Sequence, residues 1–304
     1  MNRSWYAVLV TLLWLVTTSW LFVAKILPTL LPGTPPGYQA LYAANNRLIP
    51  VAWSVLWDEK PLGFATSQAH WLDGGGMRVE SLLHLDQIPI REMLPAWTRL
   101  LIGGSLPARQ RLSMEATGSL AIDAAGVLTH FRSTIDLPGV AERVFLEGTI
   151  DDGNVEIVVR AGEMRYQTTR YLPTNVTLGD ELSPQATLPG LVAGRRWTVP
   201  VYSPLRPAQS PIEILHAEVS GTETLLWDDR LVTVDVVSYR DDPSSHREPR
   251  SRLWVDRTGR VLKQETSILG KSLAFVRRTD DQAAVLTASL IESNAGPNAA
   301  LEGR

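Results

Sequence analysis

Period-two alternation of apolar and polar residues governs this chain from about residue 50 onward. Val51, Trp53, Val55 and Trp57 fall on one face of an extended segment. Met77, Val79, Leu83 and Leu85 alternate with Arg78, Glu80, His84 and Asp86. Side chains of a strand point to opposite sides at every step, so this pattern predicts antiparallel strands with one buried and one solvated face. Turn signals separate the strands at Asp73-Gly74-Gly75-Gly76, Ala125-Gly126, Asp151-Asp152-Gly153, Gly221 and Thr258-Gly259. Their spacing suits hairpins. The expected fold is mainly β: a curved antiparallel sheet or half-barrel, or two similar halves.

One segment departs from that period. Between Pro89 and Ile102, Met93, Trp97, Leu100 and Leu101 recur at helical spacing, with Arg91, Glu92 and Arg99 among them. This predicts a short amphipathic helix, bent at Pro95, covering the sheet. A helix lying on a membrane surface would show the same spacing.

The N-terminus has a different character. Ser4 to Ala24 carries no charge, and at ~1.5 Å per residue it spans about 30 Å, the thickness of a hydrocarbon core. The run exceeds the roughly 7–15 apolar residues of a cleaved signal peptide, and Phe22 spoils a small-x-small site ending at Ala24. It reads as an uncleaved anchor. Arg3 precedes it, Lys25 follows, and the next charge is Arg47. The positive-inside rule then places the N-terminus in the cytoplasm and the rest of the chain outside it, at a bacterial inner membrane. Trp5 and Tyr6 fit an interfacial belt, whereas Trp14 falls near mid-membrane, where it faces lipid, a local hydroxyl or another helix. Thr17, Thr18, Ser19 and Trp20 are the remaining side chains through which the helix could meet a partner helix.

An internal similarity links the two parts of the β region. Leu120-Ala-Ile122-Asp123-Ala-Ala-Gly126-Val-Leu128 echoes Leu253-Trp-Val255-Asp256-Arg-Thr-Gly259-Arg-Val-Leu262. Each reads as strand, Asp-x-x-Gly turn, strand. Common descent explains the echo, and so does turn chemistry alone, since Asp caps its own turn and Gly supplies a positive φ. Leu188 to Gly194, followed by Pro200, Pro204, Pro207 and Pro211, marks a boundary. The expected organisation is an anchor over 1–25, a Pro-rich spacer over 26–46, β regions over 47–187 and 188–292, and a flexible tail over 293–304.

Three stretches carry a family resemblance: Leu188-Pro189-Gly190, Trp197-x-Val199-Pro200-Val201, and Leu253-Trp254-Val255-Asp256-x-x-Gly259-x-Val261-Leu262. Residues 49–290 resemble the β-rich extracytoplasmic domains that precede bacterial transglutaminase-like domains, and more distantly the LolA/LolB lipoprotein carriers. The resemblance implies a strongly curved antiparallel sheet with helices in its concave face. Two features depart from it: the chain has no cysteine to serve as a transglutaminase nucleophile, and a soluble carrier keeps no anchor.

Composition excludes several chemistries. With no cysteine there are no disulfides, no Cys-ligated metals and no lipidated Cys, so any anchor is peptide. The net charge of −3, with basic residues dispersed, argues against nucleic acid as a partner. His70, His84, His130, His216 and His246 show no metal-binding spacing. The acidic loop from Asp241 to Glu248 lacks EF-hand spacing and reads as a solvated hairpin tip. Nucleophile elbow, P-loop and dinucleotide fingerprints are missing. Asn175-Val176-Thr177 reads as a turn. No catalytic, cofactor or metal residue is assigned. The sequence points to a membrane-anchored, non-enzymatic binding or scaffolding protein that offers a sheet surface to a lipid, lipoprotein or protein partner. The alternatives are an accessory subunit of a respiratory, photosynthetic or secretory membrane complex, and a hydrolase with a dispersed active site.

Overall fold

A computed structural model describes residues 3–21, 49–88, 112–138, 141–171, 179–180, 184–202, 212–244, 247–268 and 270–298. Among them the chain begins with helix α1 (Arg3–Leu21). There follow β1 (Val51–Trp57), β2 (Lys60–Trp71), β3 (Met77–Ile88), β4 (Leu112–Ile122) and β5 (Leu128–Leu137). Next come β6 (Ala141–Asp151), β7 (Asn154–Ala161), β8 (Met164–Tyr171), the short β9 (Gly179–Asp180) and β10 (Arg196–Tyr202). The last strands are β11 (Ile212–Trp227), β12 (Arg230–Arg240), β13 (Ser251–Asp256), β14 (Val261–Ile268) and β15 (Lys271–Arg277), before helix α2 (Asp280–Asn298).

All fifteen strands form one open sheet in the order β8-β7-β6-β5-β4-β3-β2-β1-β15-β14-β13-β12-β11-β10-β9. Neighbours are antiparallel except β9 and β10, which run parallel. The sheet is a meander broken at an unusual place: its edges are β8 and β9, while the first and last strands lie side by side near its middle. The mainly β expectation holds. The strands of both expected β regions belong to this single sheet.

Register explains the apolar face. One row runs Leu253, Gln264, Phe275, Val55, Gly63, Leu85, Met114 across seven consecutive strands. Trp53, Val55, Ala65, Leu83, Leu85 and Phe275 are buried in one cluster. Trp197, Val199, Leu215, Val237, Leu253 and Val255 form a second on the same side of the sheet. The segment 184–191 lies against this side: Val261 N donates to Ala186 O, Arg277 Nη1 donates to the same carbonyl, and Leu188, itself buried, donates to Gly259 O. Its backbone polar groups are thus satisfied under cover, as burial requires.

Tight turns follow the expected residue chemistry. At Asp123 and Asp256 alike, Oδ1 accepts from the backbone N–H two and four residues on. Leu72–Gly76 repeats the same backbone bonds without an Asp at its first position. The same turn geometry thus occurs three times, twice with the Asp that makes the echo between the halves. Gly221 is a correction: it is no turn but lies inside β11, where the register with β12 shifts between Val219 and Gly221. Glycine inside a strand commonly marks such a bulge.

Helix α2 (Asp280–Asn298) has no counterpart among the elements expected from sequence. Its start carries a capping box: Gln282 N donates to Thr279 Oγ1 and Thr279 N donates to Gln282 Oε1, with Asp280 and Asp281 in the first turn. The expected helix at 89–102 and the spacer at 26–46 lie outside the described residues. Among the described residues no helix is long and apolar enough to cross a membrane; the uncharged run extends past α1 to Ala24, beyond them.

Two tests follow at the Asp256 turn. Gly259 has φ +85°, and a Cβ there would lie 3.0 Å from Pro189 Cα. Gly259→Val should therefore lower unfolding free energy by about 2–4 kcal/mol, read by chemical denaturation; an unchanged midpoint contradicts it. Burial tends to raise the Asp256 pKa, but hydrogen bonds from Thr258 and Arg260 outweigh it and hold the carboxyl below its ordinary 3.8. A depressed folded pKa gives stability that is present above the unfolded value and lost as pH falls through the folded one. The stability difference between wild type and Asp256→Asn should be constant near neutral pH and shrink below about pH 4.

Candidate functional site

Helix α2 borders a recess on the sheet. It leaves β15 directly: Arg278 N donates to Ala52 O and Arg278 Nε to Ser54 Oγ, which ties the start of the helix to β1 on the side opposite the Trp53 cluster. Ala283 is buried, and so is Ala52; small residues let helix and sheet approach closely. One and two turns further on, Thr287 and Leu290 stand over the polar face and form a roof.

Beneath them the strands supply three rows. Phe64, His84 and Glu115 stand opposite one another on β2, β3 and β4. Thr66, Leu82, Thr117 and Thr134 form the middle row, and Gln68, Glu80, Ser119 and Arg132 the third. The groove has a cavity volume of about 600 Å³, within the roughly 300–1,000 Å³ of small-molecule sites. His84 stacks on Phe64 with centroids 5.3 Å apart. Its Nε2 lies 3.2 Å from Asp86 and its Nδ1 3.9 Å from Glu115. Arg132 donates to Glu147 at 2.9 Å, and this bond, with Arg132 the dominant partner, holds the Glu147 carboxyl below its ordinary range.

The opposite, apolar face is closed over around β1. Trp53, Trp57 and Arg277 are buried there, and among the described residues Trp53 Nε1, Trp57 Nε1 and Arg277 Nε have no hydrogen-bond partner. Each such donor costs about 1–3 kcal/mol, offset by the aromatic area buried with it. Among the described residues, no three His, Asp or Glu side chains converge as a metal site.

The residues singled out from sequence are scattered. Met93, Trp97, Leu100 and Leu101 lie outside the described residues. Trp5 is helical. Trp14, Thr17, Thr18 and Trp20 are all exposed on α1, and Thr17 Oγ1 donates within its own helix to Leu13 O and Trp14 O. His70, His130 and His216 stand on strands, and His246 is outside the described residues. Asp242 accepts from the N–H and hydroxyl of Ser244, capping its own turn as a solvated tip would. The groove residues Glu80 and His84 were visible in the sequence as the polar phase of β3. Their meeting with Glu115, Arg132 and α2 was not.

Comparison with family models finds no match, and comparison with curated proteins finds none. By structure the chain is similar to a beta-barrel-like protein of the domain of unknown function DUF1849 from Brucella abortus, with TM-score 0.47 and 11% identity over 77% of this chain and 97% of that one. It is similar also to a DUF1089 family protein from Pseudomonas aeruginosa, with TM-score 0.33 and 15% identity over 65% and 87% of the two chains. Neither is described as a lipoprotein carrier or as preceding a transglutaminase-like domain, and at these scores neither bears on the site.

The docking of α2 can be tested at Ala283. Ala283→Leu should overpack the contact with β1 at a cost of about 1–3 kcal/mol. Amide protection over residues 283–290 should fall while protection in β3 and β13 persists. Equal loss in helix and sheet would show that α2 is not a separable roof.

Proposed function

We propose that this chain is a membrane-anchored, extracytoplasmic, non-enzymatic binding protein whose open binding surface is the groove between α2 and β2–β5. The observation that carries the reading is the groove itself: a recess of small-molecule size, roofed by a helix and floored by hydroxyl, carboxylate and aromatic side chains. Binding sites have this form, with a few polar groups that fix orientation. Its compartment rests on the uncharged run from Ser4 to Ala24 with Arg3 before it. We take the sheet to be curved, as the family resemblance implies, because a single layer buries a residue like Trp53 fully only when its face is closed in. A lipid, lipoprotein or protein partner on the apolar face would have to open the cluster around Trp53, whereas the polar groove is already open.

One feature of α1 favours a second reading, the accessory subunit. Trp14 is 62% exposed at mid-helix, and an indole N–H there is best satisfied by another helix. Native sizing after mild detergent extraction separates the two: a large stable assembly supports the subunit, and a particle of one chain supports the lone anchor.

Two experiments test the main reading. A C-terminal alkaline phosphatase fusion should be active; an inactive fusion paired with a fluorescent cytoplasmic reporter at the same site reverses the orientation. Native mass spectrometry of the full chain should find a small molecule that is lost in Thr117→Trp, which fills the groove from an exposed position. Retention of the molecule in that variant contradicts the groove as its site.

A further inference from the structure

We infer that the groove takes an extended organic polycation, of the polyamine class. The inference rests on the binding reading above and names its ligand. Glu80 and Glu115 stand near opposite ends of the floor. Glu115 faces His84 across the strands, and Glu80 lies four residues back along β3. At ~3.4 Å per residue their backbones are about 14 Å apart. Neither carboxylate has a Lys or Arg partner among the described residues. The nearest cationic candidates are His70 for Glu80 and His84 for Glu115, each at 3.9 Å. Arg132, the one arginine among the described residues that line the groove, is already bound to Glu147.

The floor between the two carboxylates suits the middle of such a molecule. Leu82 offers apolar surface to a methylene chain, and the hydroxyls of Thr66 and Thr117 on either side of it can accept from an internal amine. At the Glu115 end the stacked Phe64 and His84 rings present an aromatic face to an ammonium group. The roof of Thr287 and Leu290 limits thickness and selects a linear molecule over a branched one. An anion would meet a carboxylate at both ends, and a monoamine would reach only one of them.

Calorimetric titration of the full chain in detergent with spermidine is the test. Spermidine should bind, and Glu80→Gln and Glu115→Gln should each weaken it by about tenfold, the loss of one charge-assisted hydrogen bond. Putrescine, too short for the span, should bind more weakly than spermidine and respond to only one of the two substitutions. Glu218→Gln, far away on β11, should leave the affinity unchanged. No binding of spermidine, equal binding by wild type and both groove variants, or an equal loss in Glu218→Gln overturns the inference. If the molecule released by Thr117→Trp is neutral or anionic, the groove reading stands and the polyamine is refuted.

Discussion

The pairing of the first strand with the last governs the rest of this structure. β1 and β15 run antiparallel, with Trp53 opposite Arg277, Val55 opposite Phe275 and Trp57 opposite Leu273. Asp58 closes the end of the ladder: Ser272 N donates to its carboxylate and Lys271 pairs with it, across 213 residues of chain in the second case. Closing a loop of that length costs roughly 3 kcal/mol more than closing one of ten residues. Full burial of Trp53, Val55 and Phe275 offsets it, since a large buried side chain is worth about 1.5–3 kcal/mol on transfer alone. Without this ladder the strands on either side would be separate sheets with exposed apolar edges.

The groove inherits its geometry from the same place. α2 starts three residues after β15 ends, and Arg278 in the connection bonds to Ala52 and Ser54 of β1. The helix is therefore aimed across β2 and β3 by the strand pair at the centre. Around β1–β5 the two faces of the sheet differ. One side closes over Trp53, Trp57 and Arg277 and leaves three donors without a partner among the described residues, a cost that apolar burial must exceed. Over β2–β5 the other side leaves the Glu80 and Glu115 carboxylates exposed, whereas over β11–β14 the same side buries Val234, Val236, Trp254 and Leu262.

Local features of the sequence were legible and remote ones were not. The alternation at Val51–Trp57 and Met77–Leu85 named the buried face correctly, because strand period depends on adjacent residues alone. The Asp-x-x-Gly turns were equally readable, since Asp and Gly act within five residues. Gly221 was misread because a bulge and a turn present the same residue. α2 was hidden by its composition: Val285 is exposed while Ala283 and Leu290 face the sheet, so no clean apolar stripe marks it. Its Thr279-x-x-Gln282 capping box was the available sign. Leu188 to Gly194 resembled a linker through its Pro and Gly, yet Leu188 is core. Nothing within residues 51–57 specifies a partner two hundred residues away, so neither the single sheet nor the groove could be assembled from sequence patterns.

Native-state amide exchange in the full chain, followed against denaturant, reports whether the β1–β15 ladder makes both halves one cooperative unit. Amides of β1 and β15 should open together with those of β3 and β13, at a single free energy equal to that of global unfolding. If β3 and β13 instead open at different free energies, with β1 and β15 exchanging as readily as a sheet edge, the ladder does not join the halves. The groove would then rest on the first half alone.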